Sequence, residues 1–246
     1  MRKLTDLLLG VGLLLALAAC DTNTPAGQLV GSGKLVSETR AVSGVTGVTL
    51  TLDGQLTITQ GDTESLVVEA EDNILPIIKT TVTNGMLTIG TDPAVTSFRT
   101  TKPMSYRLSV KTLNAITLTA SGTAKASTLN TTDLRLTVNG SAGIKIDQLS
   151  AQAVHVTGSG SGDIALAGKV TTQEITLSGS GSYQAARLTC DSATAQLSGS
   201  GGATIVVGKT LEAHLTGSGN LTYAGSPAKV TQTATGSGRV IAQANQ

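Results

Sequence analysis

Between residues 115 and 241 one phrase returns seven times, and this repetition constrains the fold more than any other property of the chain. It reads Leu118-Thr-Ala-Ser-Gly122, Leu136-Thr-Val-Asn-Gly140, Val156-Thr-Gly-Ser-Gly160, Leu177-Ser-Gly-Ser-Gly181, Leu197-Ser-Gly-Ser-Gly201, Leu215-Thr-Gly-Ser-Gly219 and Ala234-Thr-Gly-Ser-Gly238. Taken at the last glycine of each, the copies are 18, 20, 21, 20, 18 and 19 residues apart. A period near twenty with alternating apolar residues and a glycine corner specifies a solenoid, in which each copy is one coil and buries its apolar side against the next. The alternation assigns Leu134, Leu136, Val138, Val154, Val156, Ile175, Leu177, Ala195 and Leu197 to the interior. A second short strand follows each corner, as in Ile144-Lys-Ile146 and Ile205-Val-Val207, and three short segments per coil are expected. Coils at about 4.8 Å per step place the seven marker glycines in one stack, with Gly181 at positive φ.

The start of the chain has a different character. Arg2 and Lys3 precede the apolar run Leu7 to Ala19, which is short for a membrane span and ends Leu17-Ala18-Ala19-Cys20. This pattern is that of a secretory signal. The last four residues resemble the lipobox of bacterial lipoproteins, which implies cleavage before Cys20 and acylation of its sulfur and amino group; the alternative is an ordinary signal peptide with a cysteine beside the cut. At about 0.8 kcal/mol per buried methylene, several acyl chains hold a soluble domain to a membrane. Asp21 resembles an inner-membrane retention signal that varies between bacterial groups, so the expected location is the outer membrane or the periplasmic side of the inner membrane. The expected division is a signal peptide over 1–19, the lipidated cysteine and a flexible tether over 20–33, a β-rich part over 34–114 and the solenoid over 115–242.

Within the β-rich part, Val48, Leu50 and Leu52 alternate with threonines up to Asp53-Gly54, after which Leu56-Thr-Ile58 resumes the pattern. Asp-Gly between alternating runs predicts a hairpin, and Asn84-Gly85 before Met86-Leu-Thr-Ile89 predicts another. A loop from Asp92-Pro93 to Pro103 carries Phe98, and no helix signal is present after the leader. The opening Leu56-Thr-Ile-Thr-Gln-Gly61, the turn Thr83-Asn-Gly-Met-Leu-Thr-Ile89 and the Ser-Gly-Ser-Gly coils together resemble the bacterial envelope family named putative auto-transporter adhesin, head GIN domain. The resemblance covers about residues 34 to 242. It implies an all-β chain, a right-handed parallel β-helix-like solenoid with irregular antiparallel strands and hairpins in its N-terminal part. It transfers no functional residues.

Charge and chemistry narrow the function. Removing Arg2, Lys3 and Asp6 with the leader from 17 basic and 16 acidic side chains leaves 15 of each. A neutral chain with scattered cations has no concentrated basic face for nucleic acid. The phrase Gly158-Ser-Gly160-Ser-Gly162 looks like a phosphate loop, but a strand follows it where a phosphate site needs a helix N-terminus. Calcium-binding rolls need an aspartate in each repeat, and Asp163 alone is so placed. His155 and His214 each precede a marker and are expected in one outward column about 14 Å apart, too far to share a zinc ion. No metal or other cofactor is expected. The carboxylates Asp133, Asp147, Asp163, Glu174, Asp191 and Glu212 fall in different coils, without an evident acid–base pair. Cys190 is expected to be a small buried residue rather than a nucleophile. The outward positions after each marker, Thr119, Thr137, Thr157, Ser178, Ser198, Thr216 and Thr235, form a hydroxyl ladder and a candidate binding face.

The expectation is a lipid-anchored, non-enzymatic envelope protein, adhesin-like or another surface or periplasmic interaction module. Its partners are the membrane, through Cys20, and an envelope protein or polysaccharide. The alternative is a polysaccharide-binding or carbohydrate-processing β-helix, and a third is a structural protein whose coils stack end to end.

Overall fold

The computed structural model describes residues 28–95 and 97–243. The expected signal peptide, the cysteine expected to be acylated, Cys20, and the expected tether up to residue 27 lie outside the described residues. Strands dominate because alternating β-branched and leucine residues present one dry and one wet face. In Asp133–Gly140, for example, Leu134, Leu136 and Val138 are buried while Asp133 and Arg135 are exposed. Burying each such side chain contributes about 1.5–3 kcal/mol, and the rows are continuous from coil to coil. One of them runs Ile116, Leu136, Val156, Ile175, Ala195 and Ala213 through successive parallel pairings.

The corners depart from the expected single stack. Gly122, Ala142, Gly162, Gly181, Gly201, Gly219 and Gly238 form one column, while Gly140, Gly160, Gly179, Gly199, Gly217 and Gly236 form a second. Two of the expected markers, Gly140 and Gly160, therefore stand in the other column. The copies in true register are Leu118-Thr-Ala-Ser-Gly122, Val138-Asn-Gly-Ser-Ala142 and Gly158-Ser-Gly-Ser-Gly162, followed by the remaining four as expected. A shift of two residues preserves the inside–outside alternation, so the apolar pattern is satisfied either way. What selects the register is the corner backbone. The N–H groups of Ser180 and Gly181 both donate to the Gly160 carbonyl, at 2.7 and 3.0 Å, and those of Ser200 and Gly201 to the Gly179 carbonyl, both at 2.9 Å. Backbone thus closes the corner.

The N-terminal part is laid down out of order. Gly47–Leu50 lies between Met86–Thr91 and Ala115–Leu118, parallel to both, and Gln55–Gln60 lies between Ser105–Val110 and Thr123–Asn130, again parallel to both. The chain builds an inner layer, then the end layer beyond it, and returns. Asp53-Gly54 is consequently a solenoid corner and not the expected hairpin, because the strands flanking it pair with other layers instead of with each other. The Asn84-Gly85 hairpin does form, with both residues at positive φ (51° and 79°) and Thr83 opposite Met86.

Antiparallel strands close this end. Ser65–Glu71 pairs with Ser105–Val110 on one side and with Leu35–Arg40 on the other, and Ile78–Thr83 pairs with Met86–Thr91. A 3-10 turn at Leu75–Ile77, with Pro76 inside it, seats Leu75 in the core where no helical element was expected. From Leu29 the segment assigned to the tether is held: Leu29–Val30 pairs with Phe98–Arg99, and Gly33 N–H donates to the Glu71 carboxylate at 2.7 Å. At the far end Lys229–Ala234 is exposed along its whole length, and the interior row from Ile116 to Ala213 ends in Gln232.

Candidate functional site

The outward side of the first strand of each coil carries the residues singled out as a binding face. Strand pairing sets them in columns. One column runs Thr88, Thr49, Thr117, Thr137, Thr157, Thr176, Gln196, His214 and Thr233, six threonines in succession before the polar residues that follow. Threonine suits such a surface, since its branched Cβ fits the pleat while its hydroxyl faces water. The neighbouring column contains Asn139 and Ser159, paired in register, and one residue past Gly158 and Leu177 it continues through Ser178, Ser198, Thr216 and Thr235. The seven expected ladder residues thus share a face but not a line. Thr137 and Thr157 belong to the first column, and Asn139 and Ser159 take their places beside Thr119 in the second. Both columns follow from the same register shift that divides the glycines.

A third column on this face reads Ala115, Arg135, His155, Glu174, Thr194, Glu212 and Thr231. His155 therefore does not stack with His214. Its ring instead bridges two carboxylates from the coils on either side, with Nδ1 2.8 Å from Glu174 Oε2 and Nε2 3.2 Å from Asp133 Oδ2. Ionised carboxylates only accept, so both contacts are hydrogen bonds when the ring carries both protons. Asp133 and Glu174, 41 residues apart in the chain, are brought together by stacking, a proximity that the sequence conceals. The two carboxylates take opposite sides of one ring, an arrangement that ties three coils together. The other acids are engaged locally: Asp147 with Lys145 at 3.0 Å, Asp191 with Lys209 at 2.9 Å, Glu212 with His214 at 3.0 Å, and Asp163 with the amide and hydroxyl of Ser182.

The remaining sequence candidates resolve as scaffold. Gly160 has φ 144°, and a Cβ there would overlap the Gly140 carbonyl, so the resemblance to a phosphate loop comes from close packing of corners. Cys190 is buried, with its sulfur 3.4 Å from the Val206 carbonyl oxygen; burial pushes the thiol up to about 11, away from the thiolate a nucleophile needs. Beside it the buried Tyr183 hydroxyl donates to Gln173 Oε1 at 2.8 Å, and desolvation raises the phenol's pKa further from neutrality.

Comparison with known proteins places this geometry. The family model described as putative auto-transporter adhesin, head GIN domain matches residues 45–227. Among solved structures, a putative adhesin from Bacteroides fragilis superposes with a TM-score of 0.82 at 24% identity, covering 87% of this chain and 100% of that one. A putative lipid binding protein from Parabacteroides distasonis gives 0.75 at 19% identity over 88% and 100% of the two chains. A putative adhesin from Parabacteroides merdae gives 0.72 at 20% identity over 89% and 100%. At these identities the likeness is one of fold. No curated protein matches the chain.

Proposed function

The chain belongs to the family described as putative auto-transporter adhesin, head GIN domain, and on that premise we propose that it is a non-enzymatic interaction module of the cell envelope, anchored through lipid on Cys20. The observation that carries this reading is the run of six threonines in register, from Thr88 to Thr176, on a parallel sheet. Hydroxyls repeating at about 4.8 Å provide many directional hydrogen bonds, each worth a net of roughly 0.5–1.5 kcal/mol, and little apolar anchorage. Binding through such a face is weak for one copy. It becomes useful when anchored copies crowd against a repetitive partner, such as a polysaccharide or a surface array. Cys20 and Gln28 are eight residues apart, a reach of at most about 28 Å, so an anchor at Cys20 keeps the capped end of the solenoid near the membrane.

The test compares partner binding by protein displayed on vesicles with binding by monomer released through Cys20→Ala. Display is expected to raise apparent affinity at least tenfold. Changing Thr137, Thr157 and Thr176 together to lysine is expected to abolish that gain. Equal affinities, or a triple variant that binds as before, would overturn the reading.

A further inference from the structure

The solenoid stacks its strands in regular layers, but the chain leaves them after Thr91 and passes over the Asp53–Gly54 corner before rejoining them at Ser105. Insertions in repeat folds collect on one face, where they convert a flat surface into a shaped one. Here Phe98–Arg99 is fixed from outside by pairing with Leu29–Val30, and the Met104 carbonyl accepts the Gln55 N–H at 3.1 Å. Between this overhang and the corner lies a cleft of about 380 Å³, with Thr51, Asp53, Phe98, Arg99, Thr100 and Met104 in its walls. That volume falls in the range of small-ligand pockets and suits one or two sugar rings.

We infer that this cleft binds a carboxylate-bearing sugar unit of an acidic polysaccharide. Phe98, the one phenylalanine of the chain, is half-buried in the wall, and with Met104 it supplies an apolar surface for the C–H face of a pyranose. Arg99 is exposed and, among the described residues, forms no ion pair, so its planar guanidinium is available for two parallel hydrogen bonds to a carboxylate. Asp53 spends Oδ1 on the Ser121 N–H at 3.0 Å, and its Oδ2 makes no hydrogen bond among the described residues. A carboxylate and a guanidinium in the same cleft require a ligand with both donors and an anionic group. A sugar acid has hydroxyls for Asp53, Thr51 and Thr100 and a carboxylate for Arg99. A lipid phosphodiester or a nucleic-acid backbone brings negative charge toward Asp53 with no donor to satisfy it. The cleft adds selectivity that the threonine columns lack, and it stands on separate residues.

The experiment is calorimetric titration of the full chain in detergent with digalacturonate, with neutral digalactose and, separately, with dimethyl phosphate, a soluble phosphodiester that has no hydrogen-bond donor. Digalacturonate is expected to bind saturably and at least tenfold more tightly than digalactose. Arg99→Ala should lose at least tenfold in affinity without a change in melting temperature, Arg99→Lys should recover part of it, and Asp53→Asn should weaken both sugars. No binding of digalacturonate, equal binding of the neutral sugar, an unaffected Arg99→Ala variant, or equal binding of dimethyl phosphate would each overturn the inference. A cleft that takes no sugar while vesicle display still raises affinity tenfold ends this inference alone. Loss of the display effect with digalacturonate still bound ends the threonine-face reading alone.

Discussion

Gly181 has no positive φ, yet a Cβ on it would overlap the Gly162 carbonyl oxygen of the coil below. Glycine is required there by the approach of two backbones, and the left-handed conformation expected from the sequence plays no part. Gly143 opens the strand after the corner two coils away, and the nearest backbone atom to a Cβ on it, the Asp163 carbonyl oxygen, is 3.5 Å off. Gly181→Ala is therefore expected to cost about 1–3 kcal/mol, since the backbone must move, while Gly143→Ala stays within about 0.5 kcal/mol. Urea unfolding with an unchanged slope measures both. A second residue-scale prediction concerns Glu71, which is fully buried in the N-terminal cap. Burial acts to raise its pKa. It is outweighed by hydrogen bonds from the Thr101 hydroxyl and the amides of Thr101, Gly33 and Lys102, so the carboxyl stays below its ordinary value of 4.5. A depressed carboxylate contributes stability that is complete above the unfolded value and is lost as pH falls through the folded one. The melting temperature of the wild type should exceed that of Glu71→Gln at neutral pH, and the gap should narrow below about pH 4.5. A gap independent of pH would mean that the carboxylate charge is not what holds the cap.

At the scale of elements, two Asx-Gly pairs between alternating runs meet different fates. Asn84-Gly85 has its two strands free to pair with each other, since Ile78–Thr83 lies outermost on the cap and needs Met86–Thr91 as its one neighbour. The strands around Asp53-Gly54 each find parallel partners on both sides, and Gly54 takes φ 118° to turn from one solenoid face to the next. Nothing local in the sequence separates these cases, because turn chemistry and alternation are alike. A substitution does separate them. A hairpin turn accepts Asn at a left-handed position, whereas a Cβ on Gly54 would lie 2.6 Å from the Met104 carbonyl oxygen. Gly54→Asn is therefore expected to lose about 1–3 kcal/mol in the same unfolding assay, and a neutral result would restore the hairpin reading. The same degeneracy explains the site. Inward and outward residues were legible from alternation, as Leu134, Leu136 and Val138 show. The columns that Thr137 and Thr157 join were not, because a two-residue shift preserves every inward position and only the glycine corners reject it. Asp133, His155 and Glu174 became neighbours through that register alone. The cleft was hidden for another reason: it depends on where the loop bearing Phe98 and Arg99 crosses the solenoid, and a layer laid down out of order leaves no trace in the spacing.

For the whole molecule, the two ends of the stack differ, and a quasi-one-dimensional fold makes that difference energetic. Each coil is stabilised mainly by its two neighbours, so a terminal coil keeps about half of those contacts unless something covers it. The N-terminal end is covered by Ser65–Glu71, Ile78–Thr83 and the turn at Leu75–Ile77, which bury Leu66, Val68, Ile74 and Ile78. At the other end Val230, Gln232 and Ala234 follow Leu211, Ala213 and Leu215 in the interior rows, and all three are exposed. The change from Ala213 to Gln232 ends one apolar row in a residue that water solvates well, and Lys229 opens the outer strand with a charge, both devices that discourage further strands from adding. This bears on the structural alternative of coils stacked end to end, which needs an apolar last layer. It also fixes the direction in which the molecule opens. Amide exchange should be fastest in Lys229–Ala234, with an opening free energy near zero. It should be slowest in the layers from Asp133–Gly140 to Tyr183–Leu197, where the free energy approaches the global value, and the capped end should lie between the two. If the N-terminal cap exchanges before the last coil, the antiparallel strands do not cap the stack, and stability along the solenoid rises toward the C-terminal end instead.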